Sequence, residues 1–529
     1  MKKTVALCVV LAMLVLLASC TTQDTAGTTT ATTGATTAST TTVATTTQAT
    51  TEAARETYPF TIMHYATPKD EMTVGGQTYY AFLEEKFNVE IDWHTPAQSA
   101  YAEALQLMFA SEEYPEIAYI PDPKNATFIE AAENGVVLGL NDMLATHGAN
   151  FMKYTYDYSW PSLKVLGDDT IYALPLTTIS RTDGFAIRND WLENVGSDYK
   201  EGSVLTLDEF YEIARAFTFD DPDGNGKDDT YGLGLMSTGG EAVVTQVLEI
   251  PFDINGWRQF DEGIMHLKYS QQVDNYKRML TYVSKLWADG LIHPDWLSID
   301  GSNIMREKLY QGQFGIFNSF PGHLANWDTA GQAVDPDFNV VYMAALKEDE
   351  NDTTYYSGAH ATGIYGCWAL MNSNEHPERV LEVFDYMLDD DFWFETVYGL
   401  EGVMWNKVGD EYVPTDAPTT GRNNLLVRRK DDPGIWLALA LNTETRNRLA
   451  GQINIAIELF VPTLDKGFKP PVAQDPTLLD YEKFMVTETT RIIFGEKSVD
   501  YWDELLSGWY AAGGETYIQQ MREFIANNP

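Results

Sequence analysis

From Tyr58 to Tyr65 apolar and polar positions alternate, which predicts a strand. Tyr79 to Phe87 predicts a helix and Val89 to Trp93 a second strand. Between Gln98 and Ala110, Tyr101, Leu105 and Met108 fall on one helical stripe, and the apolar run Ile117 to Ile120 follows Pro115. The order strand, helix, strand, helix, strand predicts a mainly parallel sheet covered by helices. Later segments repeat the style. Thr206-Leu207-Asp208-Glu209 forms a capping box, and Phe210, Ile213, Ala214 and Phe217 then mark one helical face. Tyr276, Met279, Leu280, Val283 and Trp287 mark another, ending near Gly290. Phe314 to Phe317 reads as a buried strand. Val380, Val383, Phe384, Met387 and Leu388 form a helical stripe opened by Pro377. The last hundred residues read as helical. The fold class is α/β.

The first nineteen residues break this pattern. Lys2 and Lys3 precede a nearly continuous apolar run, Thr4 to Leu17, shorter than the ~20 residues a spanning helix needs. This is the build of a signal peptide. Its end, Leu17-Ala18-Ser19-Cys20, resembles the bacterial lipobox, which implies a diacylglycerol on Cys20. Residues 20–57 hold that cysteine and a Thr/Ala-rich stretch with few large apolar side chains. Such a stretch cannot offset the cost of ordering its backbone, so it is expected to be a flexible linker.

Composition narrows the partners. A formal charge of -42 repels phosphate backbones and anionic membrane surfaces. Nucleic acid is excluded, and membrane attachment is expected only through the lipid anchor. Of the three cysteines, Cys8 lies in the leader and Cys20 at the anchor, which leaves Cys367 without a disulfide partner.

The sharpest local motif runs from Asp221 to Thr230, Asp-Pro-Asp-Gly-Asn-Gly-Lys-Asp-Asp-Thr. Oxygen donors recur at alternate positions, as a hard cation wanting ~6–8 oxygens requires. Gly226 takes the sixth place, where such a loop turns sharply. The expected calcium ligands are Asp221, Asp223, Asn225, the carbonyl of Lys227 and Asp229, with Thr230 or water completing the shell. Gly232 stands where an EF-hand has its Glu, so a paired EF-hand is not expected. The ion would cross-link a loop rather than activate water.

No His-Glu-x-x-His, Cys-x-x-Cys or Gly-x-Ser-x-Gly occurs, and Gly226-Lys227 is followed by Asp228, which excludes a phosphate-binding Walker loop. The eight histidines lack metal-ligand spacing. These absences favour binding over catalysis.

Several stretches, in order, resemble the sugar-binding extracellular solute-binding proteins of ATP-binding-cassette (ABC) importers. This family includes maltose-binding protein and lipoproteins of the aldouronate and oligosaccharide-uptake subgroup. The stretches are Glu103 to Ser111 with Tyr114-Pro115-Glu116-Ile117, Ile171-Tyr172-Ala173-Leu174-Pro175, and Ile187-Arg188-Asn189-Asp190-Trp191-Leu192. They continue with the acidic loop and Tyr231-Gly232, Gly290-Leu291-Ile292-His293-Pro294, Gly312-Gln313-Phe314-Gly315-Ile316 and Gly399-Leu400-Glu401-Gly402-Val403.

The resemblance implies a two-lobed periplasmic-binding-protein-like type II fold, with a hinge and a ligand cleft between the lobes. It implies an N-terminal lobe of residues 58–175 and 303–357 and a C-terminal lobe of 176–302 and 358–529. It implies no enzymatic activity and a monomer on the extracellular face of the cell membrane, handing an oligosaccharide to permease subunits. Sugars present hydroxyl edges and flatter C–H faces, which polar groups and aromatic rings respectively can cover. The expected contacts follow the family-matched strands: Tyr65, Asp122, Arg181, Asn318 and Trp327, with Tyr365 and Trp405 from the other side, and Trp257, after Asn255-Gly256, is a further candidate platform. Arg188 and Trp191 are expected to be scaffold. A receptor for a peptide or another solute, and an anchored glycoside hydrolase, are the competing readings.

Overall fold

The computed structural model describes residues 56–65, 74–166, 168–178, 184–260, 263–353, 358–360, 362–409, 411–415, 426–432, 434, 437 and 442–527. Signal peptide, Cys20 and linker lie outside them, as does Arg181.

Two sheets organise the unit from Glu56 onward. In the first, Tyr58–Met63 lies parallel to Val89–His94 and Ile117–Ile120, and Ile364–Leu370 runs antiparallel between Ile117–Ile120 and Leu174–Thr177. Its strands are largely apolar because helices Val74–Phe87, Tyr101–Ser111 and Pro377–Tyr386 accompany them into one core. Cys367 and Trp368 sit there fully buried. In the second sheet, Gly184–Arg188 is flanked by antiparallel Phe314–Ser319 and Val340–Met343, and Tyr231–Gly234 lies parallel to Phe314–Ser319. Helices Leu207–Phe219 and Asn275–Ala288 pack on this sheet, joined by the C-terminal helices Pro476–Ile493, Tyr501–Trp509 and Glu515–Asn527.

Local chemistry explains several boundaries. Thr206 Oγ1 accepts from the Glu209 amide at 3.1 Å, and Glu209 accepts from the Thr206 amide at 2.8 Å. Such a box contributes about 1 kcal/mol. Pro377 occupies the first turn of its helix, where no amide hydrogen is needed. Arg188 is buried, its guanidinium bonded to Asp190 and Asp335 and lying over the Phe338 ring at 4.3 Å. It is scaffold, as is the buried Trp191.

One expectation about lobe membership fails. The expected N-terminal lobe includes residues 303–357, yet Phe314–Ser319 pairs with Gly184–Arg188 in the second sheet. Conversely, Ile364–Leu370 and Pro377–Tyr386, placed in the C-terminal lobe, belong to the first core. An apolar run shows that a strand is buried but not which neighbour accepts its hydrogen bonds. The chain therefore passes between lobes after Thr177, again in the stretch before Ile364, and again between Val427 and Leu437.

The first two passages run side by side, the Thr178 amide donating to the Gly363 carbonyl at 2.9 Å. Gly363 has φ 64°, and a Cβ there would lie 2.8 Å from Ser159 Oγ and from the Tyr158 ring. Both the backbone angle and the close approach require glycine.

Candidate functional site between the lobes

Register fixes which strand ends meet. Ile62 pairs with Ile117, Ile120 with Cys367, and Ile364 with Thr177. The carboxyl ends of three strands and the start of a fourth therefore share one edge of the first sheet. The chain leaves for the second lobe from this edge and returns to it. In the second sheet, Ser319 pairs with Gly184 and Phe317 with Gly234, so the edge next to the same passages is built from those residues. Both edges lie where the chain crosses between the two sheets. Open α/β sheets bind ligands outside such strand ends.

The edge of the first lobe is aromatic. Tyr65 is half-buried, stacked on His64 at 4.5 Å and edge-on to Tyr101 and Tyr119 at 5.4 and 5.6 Å. Tyr101 holds this arrangement by donating to the carbonyls of Met63 and Tyr119 at 3.1 and 2.8 Å. Tyr365 is 49% exposed, and the buried Arg428 places its guanidinium 4.5 Å from the ring centroid. Burial first, then the neighbouring Tyr365 phenol, pushes the Tyr65 phenol up to about 12. Asp122 accepts from the Lys124 amide at 2.8 Å, and burial lowers the Lys124 ammonium pKa against the pull of Asp122. The edge thus offers ring faces, neutral phenols and cations together.

The second edge is different. Asn318 is half-buried and donates to the Gly184 carbonyl at 3.3 Å. Trp327 is 8% exposed, packs on Phe317 and donates its indole N–H to Ser319 Oγ at 2.9 Å. Trp257 is buried in the second core, stacked on Tyr517 at 6.3 Å. Trp405 is buried in a small separate cluster with Met404, Phe394 and Tyr412, and bonds to the Gly399 carbonyl at 2.7 Å. All three indoles are buried in cores. Each indole gains more by filling a core than by waiting for a ligand.

The acidic loop is drawn in on itself. The Gly226 amide donates to both oxygens of Asp221 at 3.2 and 3.1 Å, and Asn225 Nδ2 donates to Asp223 and to Asp229 at 2.6 and 3.1 Å. Gly224 and Gly226 have φ 67° and 76°, which fold the loop tightly. Burial and the neighbouring Asp229 and Asp221 raise the Asp223 carboxyl pKa. An electropositive centre would relieve such a convergence, so this oxygen set suits a hard cation. Among the described residues, however, no cluster of three His, Cys, Asp or Glu has metal-holding geometry. Thr230 is buried and donates to the Phe217 carbonyl at 2.8 Å, tying the loop to the end of the preceding helix. Lys227 extends its ammonium to 3.9 Å from Asp229.

The model of the family described as bacterial extracellular solute-binding protein matches residues 69–391. The chain belongs to that family. This solute-binding protein is 23% identical over 456 residues to the polygalacturonan/rhamnogalacturonan-binding protein YtcQ of Bacillus subtilis, covering 83% of this chain and 86% of that one. It is 26% identical over 328 residues to lipoprotein LipO of the same organism, covering 60% and 62%. The structure of the Streptococcus pneumoniae ABC-transporter substrate-binding protein FusA, as an EF-hand mutant in complex with fructo-nystose, has the same fold. The TM-score is 0.60 at 18% identity, over 89% of this chain and 99% of that one. The family binds solutes and is not one of enzymes. Among the described residues, no helix of the solute-binding protein is long and apolar enough to cross a membrane.

His64, Tyr119, Lys124 and Arg428 share the first edge but escaped sequence analysis. His64 and Tyr119 follow the alternation of their strands, so attention to the last two positions of each strand would have found them. Arg428 has no such signal, because its place depends on a return of the chain to the first lobe.

Proposed function

We propose that this solute-binding protein is a monomeric, lipid-anchored extracellular receptor that captures an oligosaccharide between its lobes and delivers it to ABC permease subunits. The observation that carries this reading is the Tyr65–Tyr365 pair at the first edge. One ring is exposed for a sugar C–H face, and neighbouring hydroxyls and cations can meet sugar oxygens. The sugars printed in the names of YtcQ and FusA support the ligand class. The likeness to a lipoprotein and the Leu17-Ala18-Ser19-Cys20 sequence support the anchor. The alternate oxygens of Asp221, Asp223, Asn225 and Asp229, together with the EF-hand named for FusA, support a structural calcium ion.

Titration calorimetry against pectic, fructan and xylan oligosaccharides tests the function, with product analysis on the same mixtures. Saturable binding with intact glycan is the expected result. Shortened glycan would move the protein to the hydrolases, and binding to peptides alone would replace the sugar. Cys20→Ala is expected to release the protein from cell envelopes into the medium.

A further inference from the structure

The ten residues from Phe460 to Lys469 touch both lobes in turn. Phe460–Pro462 pairs in parallel with Gly358–His360, inside the second passage between lobes. The Phe460 ring stacks on Tyr158 of the first lobe with centroids 6.3 Å apart. Next, the Leu464 amide donates to the Trp257 carbonyl of the second lobe at 2.8 Å. Asp465 to Phe468 closes as a turn, the Phe468 amide reaching the Asp465 carbonyl at 2.7 Å. Lys466 and Gly467 are both left-handed, with φ 45° and 72°. A lysine at positive φ is strained and persists only where its surroundings fix it. Phe468 stacks on Phe524 of the last helix, 4.1 Å apart and nearly coplanar at 6°. Lys469 then brings its ammonium to 3.8 Å from Asp122, back at the first-lobe edge beside Lys124.

The run is therefore fixed to the second lobe in its middle and reaches the first lobe at each end. Asp122 belongs to the first lobe, whereas Lys469 follows a turn held against the last helix of the second, so the contact between them joins one lobe to the other.

We infer that residues 460–469 form a side wall of the groove, and that Lys469 is a positioning residue whose attraction to Asp122 favours the narrow, ligand-holding arrangement of the lobes. The role rests on the proposed receptor function, although the coupling between the lobes does not. Both partners are solvent-exposed, so the attraction is screened by salt and biases the equilibrium rather than locking it. A bias of this kind lowers the apparent dissociation constant by raising the competent fraction.

The test compares the full chain with Lys469→Met, and with Lys483→Met as a control at an exposed lysine on a C-terminal helix. Distances between labels on the two lobes are measured by pulsed electron spin resonance without glycan, and glycan affinity is measured at low and high salt. Lys469→Met is expected to shift the distance distribution toward wider separation and to weaken affinity by roughly two- to fivefold at low salt. The difference should vanish at about 1 M salt. Exchanging the charges, Asp122→Lys with Lys469→Asp, is expected to restore the distances. Unchanged distances in Lys469→Met, or an equal shift in Lys483→Met, would overturn the inference. Absence of glycan binding by the unaltered protein would count against the receptor reading alone, because the distances are read without ligand.

Discussion

The two lobes meet the groove with opposite chemistry. The first presents rings: Tyr365 is exposed, and Tyr65 is half-buried on a bed of His64, Tyr101 and Tyr119. The second keeps Trp257 and Trp327 in its cores and lines its edge with strand ends and the half-buried amide of Asn318. The difference suggests a division of labour. Stacking on a ring tolerates rotation of a sugar, so it suits first contact, while directional bonds from strand ends suit recognition on closure. A groove with rings on both sides would hold its guest by area. We propose that rings on one side alone separate adhesion from selection.

Four measurements would break or sharpen that contrast. The largest effect is expected from Trp327→Ala in the second lobe. It should cost about 3–5 kcal/mol of stability by denaturant unfolding, because a buried indole leaves a cavity. Glycan affinity of the folded fraction should not change, and a selective loss of affinity would place that ring in the site. Next is the half-buried Glu249 of the second lobe, whose carboxyl is raised to about 7, chiefly by desolvation and against the pull of Lys268. A raised carboxyl binds its proton more tightly when folded. Its stabilising contribution is therefore complete below the ordinary carboxylate range and is lost as pH climbs through about 7. Glu249→Gln should melt higher than the unaltered protein at pH 8, by on the order of 2 kcal/mol, and the gap should close near pH 4. A gap that persists at pH 4 would mean a packing effect instead.

Tyr365→Ala reverses the first experiment. Its ring is half in solvent, so the melting temperature should hold while glycan affinity falls roughly three- to tenfold by calorimetry. If Tyr365→Ala binds glycan normally, the first lobe loses its claim to first contact. The smallest effect is expected from metal removal. Chelation should lower the melting temperature by a few degrees, and added Ca²⁺ should restore it. Asp223→Asn should blunt that response without changing glycan affinity. A change in affinity would tie the loop to the groove.

The parts read correctly from the sequence are those whose causes lie close together in the chain. The capping box at Thr206 and Glu209 and the sharp turn at Gly226 each depend on a few adjacent residues, and each forms. Tyr65, Asp122 and Tyr365 stand at strand ends that register brings to one edge, which is why we propose them as ligand contacts. The burial of the tryptophans is not legible, because an indole beside a strand looks the same whether it turns inward or outward. The lobe of residues 303–357 was misassigned because pairing of Phe314–Ser319 with Gly184–Arg188 is settled some 130 residues away. Arg428 depends on a still later return of the chain.

The solitary thiol of Cys367 has a practical consequence. It is the free cysteine among the described residues, fully buried in the first sheet, and desolvation there suppresses its thiolate. Alkylating dyes will pass it by. A chain trimmed of its leader and anchor can therefore take one engineered cysteine on each lobe and become an optical glycan sensor, with no native sulfur removed first.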